Sequence, residues 1–108
     1  MPLLDPPYEI LELADGESWT GRILSWEQGD VVIHPRYPGA PEEKRIRALR
    51  IHVDPTSKPT LPHYWDITSG TLIAGLMPYV QLPAIADKRY RITALGVRPT
   101  KRFTLTVE

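Results

Sequence analysis

Arg45, Arg47 and Arg50 recur along one short stretch of this sequence, with His52 just beyond them. Arg89, Tyr90 and Arg91 stand together further on, and Arg98, Lys101 and Arg102 cluster near the end. Cations spaced along extended chain neutralise phosphates, and aromatic rings among them give bases a surface to stack on. Each stacked base contributes about 1–3 kcal/mol. Trp19, Trp26, Tyr37, Tyr64 and Trp65 are available as rings. The expected set is Arg45, Arg47, Arg50, Arg91, Arg98, Lys101 and Arg102 for phosphates, with Trp26, Tyr37 and Tyr90 for stacking. The competing reading makes the arginines a solvated face and the tryptophans core, where a single Trp more often belongs. Trp19 and Trp26 alternate onto opposite faces of one stretch, so one of them should lie outside the core or under a loop or partner.

Other chemistries find little support. The chain has no cysteine, which excludes disulfides, zinc ribbons and thiol nucleophiles. His34, His52 and His63 lie 18 and 11 residues apart, with Asp54 and Asp66 nearby, and none has the helical spacing of a zinc protease. Ser18, Ser25, Ser57 and Ser69 lack a nucleophile-elbow context. Gly70 and Gly75 do not make a phosphate-binding loop. The expectation is a protein that is not an enzyme and carries neither metal nor cofactor. The run His34-Pro35-Arg36-Tyr37-Pro38-Gly39 reads either as a ligand clamp or as a proline-stiffened connection.

A length of 108 residues suits one domain, here 1–108, with one modest core. Formal net charge is zero, yet residues 1–30 hold seven acids and one base, and residues 31–108 hold six acids and twelve bases. That asymmetry implies either ordinary solubilising charge or a basic face opposite an acidic one. No apolar run is long enough to span a membrane, and the start lacks the basic region of a secretory signal. A soluble, cytoplasmic protein is expected. Twelve prolines, gathered at 35–41 and 55–62, should stiffen connections and stay out of central strands.

The elements follow from periodicity. Tyr8–Leu13 is a short strand candidate, closed by a turn at Ala14-Asp15-Gly16-Glu17. Ser18–Glu27 alternates as one strand, Gln28-Gly29-Asp30 reads as a turn, and Val31–His34 is a brief strand. Lys44–Val53 is the longest strand, and its alternation slips at Ala48-Leu49, where a β-bulge is expected. Asp54–Trp65 reads as a connection, with Tyr64 and Trp65 forming a hydrophobic staple to the helix that follows. Asp66, Thr68 or Ser69 can cap that helix. Its apolar face is Leu72, Ile73, Leu76, Met77 and Val80, and Pro78 should end or kink it near Met77. Lys88–Val97 and Arg102–Glu108 form a final hairpin with Tyr90, Ile92, Ala94, Phe103, Leu105 and Val107 inward. This order predicts a mainly β fold, a small OB-like barrel of five or six strands with one short helix. An SH3-like or Sm-like barrel is the nearest alternative.

Two stretches carry a resemblance. Asp15-Gly16-Glu17-Ser18-Trp19-Thr20-Gly21-Arg22-Ile23 is similar to the opening of small OB-fold single-stranded-DNA-binding-like proteins of phages and mobile elements. Arg91-Ile92-Thr93-Ala94-Leu95-Gly96 with Lys101-Arg102-Phe103-Thr104-Leu105-Thr106-Val107 looks like their last hairpin. The helix segment matches theirs in position, so the likeness covers about half the chain. It departs in the added Val31–His34 element and in its neutral charge. The resemblance implies single-stranded DNA binding, or an accessory role in replication or recombination. The expected function is therefore a non-enzymatic binding module for single-stranded nucleic acid. The alternative is a structural or protein–protein interaction subunit of a larger assembly, such as a virion component, with a protein partner or further copies of itself.

Overall fold

In the computed structural model, which describes residues 2–97 and 100–108, one stretch of chain contributes to both sheets of the fold. β1 (Ser18–Gly21) gives way at Arg22 to β2 (Ile23–Ile33). β2 pairs antiparallel with β3 (Lys44–Val53), and β3 with β4 (Tyr64–Ile67). α1 (Gly70–Val80) and a 3₁₀ turn at Ile85–Asp87 follow. β5 (Tyr90–Leu95) then pairs with β1, and β6 (Arg102–Val107) with β5. The described residues are thus mainly β, in two three-stranded antiparallel sheets ordered β1-β5-β6 and β2-β3-β4, with one α-helix.

The sheets face each other across one main core. Ile23, Leu49, Ile51 and Val53 meet Tyr90, Ile92 and Ala94, and α1 adds Leu72, Ile73, Leu76 and Val80. The helix is capped by the Ser69 hydroxyl, which accepts from the Leu72 amide. Its apolar face is the expected one. It runs through Pro78 to Val80 rather than ending near Met77. Pro78 lies in the last turn, and the Ala74 carbonyl that it cannot bond belongs to an exposed residue, open to water. The predicted turn at residues 14–17 forms, with the Glu17 amide donating to the Ala14 carbonyl at 2.9 Å and Gly16 at φ +81°.

Ser18–Glu27 is two strands, not one, and β2 continues unbroken through Gln28-Gly29-Asp30 to Ile33. No turn forms there. Gly29 is needed for a different reason: residues 2–11 cross that face of the sheet as an arm. A Cβ on Gly29 would stand 2.7 Å from the Pro2 carbonyl and 2.8 Å from the Leu4 side chain. The bulge lies between Ile23 and Ser25 in β2, and β3 keeps regular register through Ala48-Leu49. Ala48 packs with Leu4 and Val31 under the arm, while Leu49 and Ile51 face the main core. Both faces of β3 are covered, so its apolar residues run consecutively. The β2 bulge and the change of sheet at Arg22 also bring Trp19 and Trp26 against the same core.

Tyr64-Trp65-Asp66 is not a helix staple but part of β4, registered against His52, Ile51 and Arg50. Tyr8–Leu13 is not a strand. It makes one parallel bridge, Ile10 to Asp66, as Leu3 does to Asp30. The Leu4 amide donates to the Asp30 carbonyl at 2.9 Å, and the Leu11 amide to the Asp66 carbonyl at 3.0 Å. The arm therefore spans the sheet from the β2 edge to the β4 edge.

The Val53–Pro62 connection is organised by Asp54. Partial burial works against its charge, but the Thr56 hydroxyl and the Arg22 amide donate to its carboxylate and hold it down at about 2. A depressed carboxylate stabilises the fold above its ordinary value and loses that contribution as pH falls through its folded one. Unfolding midpoints of the wild type should fall between pH 4 and about 2 more steeply than those of Asp54→Asn, in urea titrations at each pH. Equal slopes for the two proteins would remove Asp54 from that role.

Candidate binding groove

The loop between β2 and β3 is stiff for reasons visible in its residues. Tyr37-Pro38-Gly39-Ala40 closes a turn through the Ala40 amide and the Tyr37 carbonyl at 3.0 Å, with Gly39 at φ +78°. His34 Nδ1 lies 3.1 Å from the Glu42 carbonyl across the base of the loop. Tyr37 is left 55% exposed at the tip. Behind it a cleft of about 690 Å³ is lined by Arg36, Tyr37, Lys44, Ile46, Ile10 of the arm and the adjoining Glu12.

A second cleft of about 410 Å³ lies between the arm, the start of α1 and the last hairpin. Leu11, Ile67, Leu72, Lys101 and Phe103 line it, and Ile10, Glu12 and Thr68 line both clefts. The two clefts adjoin at these three residues and together form the candidate groove: the first carries Arg36, Lys44 and Tyr37, the second Lys101 and Phe103. Lys101 Nζ sits 5.7 Å from the Phe103 ring centroid. Ile10, Leu11, Ile46, Ile67 and Leu72 add apolar lining, and Glu12 is the one carboxylate among the described lining residues. Such a groove suits an elongated ligand with anionic groups and flat apolar parts. Among the described residues no three His, Asp or Glu side chains come together to hold a metal.

The expected site residues divide. Tyr37 and Lys101 line the groove. Arg45 and Arg47 alternate with Lys44 and Ile46 along β3, so strand parity sends them to the other face. There Arg45 Nε lies 2.7 Å from Asp30. Arg102 alternates with Lys101 and Phe103 and points outward with Arg91, which borders a separate cleft of about 140 Å³ with Thr20 and Arg89. Trp26 is half-buried against the core. Two expectations are corrected. Arg50 is 3% exposed and bound to Asp66 beneath the arm, so it cannot meet a phosphate. Tyr90 is fully buried in the main core and offers no stacking face. Arg98 lies outside the described residues.

Arg36, Lys44 and Phe103 are groove residues absent from the expected set. Parity would have found Lys44, since it shares a face with Ile46, and Arg36 falls in the loop for which a clamp was one of two readings. Folding brings three of the seven early acids beside later basic side chains. Asp30 pairs with Arg45, Glu9 lies 3.4 Å from Lys58, and Glu27 meets His52 at 2.7 Å, each an early acid with a later base.

Comparison with protein-family models, with curated proteins and with solved structures gives no match. Among the described residues no helix is long and apolar enough to cross a membrane.

Proposed function

We propose that the chain is a non-enzymatic module that binds single-stranded nucleic acid in this groove, on an OB-like frame. The observation that carries the reading is a cation beside an aromatic ring in each of two adjoining clefts, Arg36 and Lys44 with Tyr37 and Lys101 with Phe103. Phosphates would meet Arg36, Lys44 and Lys101, and bases would stack on Tyr37 and lie against Phe103. The order of elements supports the frame: a long bent strand, two antiparallel partners, a helix, then a hairpin that pairs back to the first strand. In OB-folds the ligand lies between the first and last hairpin loops. The corresponding connections here follow β2 and β5, and residues 34–37 of the first and Lys101 at the end of the second border the groove.

The test is fluorescence anisotropy of labelled poly-dT titrated at several salt concentrations. Affinity should fall with salt, and Arg36→Ala/Lys44→Ala/Lys101→Ala should reduce the log–log slope by about 2, at about 0.7 per lost phosphate contact. Tyr37→Ala should weaken binding by about 1–3 kcal/mol with the slope unchanged. Absence of binding at low salt, or a triple variant that binds like the wild type, overturns the proposal.

A further inference from the structure

β6 is an edge strand. Among the described residues it pairs with β5 on one side and with nothing on the other. Which backbone groups face the open side follows from the register. Arg89 and Glu108 exchange both hydrogen bonds, each at 2.9 Å, so Glu108, Thr106, Thr104 and Arg102 direct their N–H and C=O groups toward β5. Phe103, Leu105 and Val107 therefore direct theirs outward. Their side chains lie on the inner face, half-buried, with Leu105 against Gly75 of α1. Long edges of this kind invite another strand unless they are blocked. No proline, lysine or bulge interrupts Arg102–Val107.

We propose that this edge pairs with the same edge of a second copy, antiparallel, about a two-fold axis at Leu105. That register is the one the residues themselves favour. It makes hydrogen-bonded pairs of the residues whose groups point outward: Leu105 with the partner's Leu105, and Phe103 with the partner's Val107. About six hydrogen bonds form between the chains. On the inner face it extends the half-buried apolar row, and on the outer face it sets Thr104 beside the partner's Thr106. It also places Arg102 opposite the partner's Glu108, twice by symmetry. Among the described residues neither Arg102 nor Glu108 has a side-chain partner within its own chain. A displacement by two residues loses both ion pairs and shortens the ladder.

Sedimentation velocity on the full chain tests this. The wild type should form a dimer at high micromolar concentration. Arg102→Glu and Glu108→Arg should each raise the dimer Kd by about tenfold or more, because each turns two facing pairs from opposite to like charge. The double variant Arg102→Glu/Glu108→Arg should recover dimerisation, with all variants retaining the wild-type circular dichroism. In the unaltered protein, the amides of Phe103, Leu105 and Val107 should gain exchange protection as concentration rises. A wild type that stays monomeric, or a dimer that neither single variant weakens and whose β6 amides stay unprotected, overturns the proposal.

Discussion

Arg50→Ala will destabilise the fold by about 3–5 kcal/mol, read as a lowered urea midpoint, because it strands a buried carboxylate. Arg50 Nε donates to Asp66 Oδ1 at 2.7 Å and its Nη2 to Oδ2 at 3.1 Å. Asp66 has no exposure to solvent. Oδ2 also accepts from the Glu9 amide at 2.9 Å, so the same carboxylate ties the arm to β4. Burial works against the Arg50 charge, but the hydrogen bonds and charge of Asp66 outweigh it and hold the guanidinium above its ordinary value. The Arg50 group also lies 4.0 Å above the Tyr64 ring and reaches the Pro7 carbonyl at 3.4 Å. The decisive comparison is with Arg50→Met/Asp66→Leu, which removes both charges and should cost less than either single change. A loss below about 1 kcal/mol for Arg50→Ala would mean that water reaches Asp66 freely.

Tyr90→Ala comes next in size, at about 3–5 kcal/mol, the range for emptying a large aromatic site in a closed core. The ring packs edge-on against Tyr79 at 6.3 Å between centroids, and its hydroxyl donates to the Ile85 carbonyl at 3.2 Å. Tyr90→Phe keeps the ring and should cost only about 1 kcal/mol for that hydrogen bond. A residue that served only to stack bases would show the reverse pattern, stable as Ala and defective in binding. Burial, helped by neighbouring Tyr79, also pushes the Tyr90 phenol above its ordinary value. The folded state then holds this proton more tightly than the unfolded chain, so stability is intact below about pH 10 and declines above it. Tyr90→Phe should abolish that part of the alkaline decline. An unchanged alkaline limb in Tyr90→Phe would place its origin elsewhere.

What the sequence made legible was local. Alternation at Tyr90, Ile92 and Ala94, and at Phe103, Leu105 and Val107, reports a sheet with one buried face, and the helix face at Leu72, Ile73, Leu76 and Val80 is equally direct. Three of the misreadings share one cause, the arm. Periodicity describes a strand as half-buried, and an arm laid over β2 and β3 buries their second face. That turns Gly29 from a turn residue into a contact residue and makes an apparent slip of Ala48-Leu49. It also converts Arg50 from a surface cation into half of a buried pair. Tyr64–Ile67 is too short to show a period, and only its register against β3 makes it a strand. At the groove, residue types were readable and directions were not. Lys44 and Arg45 are neighbours in sequence, yet one lines the groove and the other meets Asp30.

The arm has a consequence for the order in which the fold can assemble. One of its contacts spans a long stretch of chain: the Glu9 amide and the Asp66 carboxylate are separated by 57 positions. The edge that receives residues 9–11 exists only once β4 lies beside β3, which itself requires β2. Residues 9–11 must therefore wait, unpaired, until that edge is in place. Closing so long a loop is slow compared with forming the β2–β3 and β5–β6 hairpins. Until it closes, Val31 and Ala48 remain open to water. Within this half of the fold, residues from the very start of the sequence are the last to find their place.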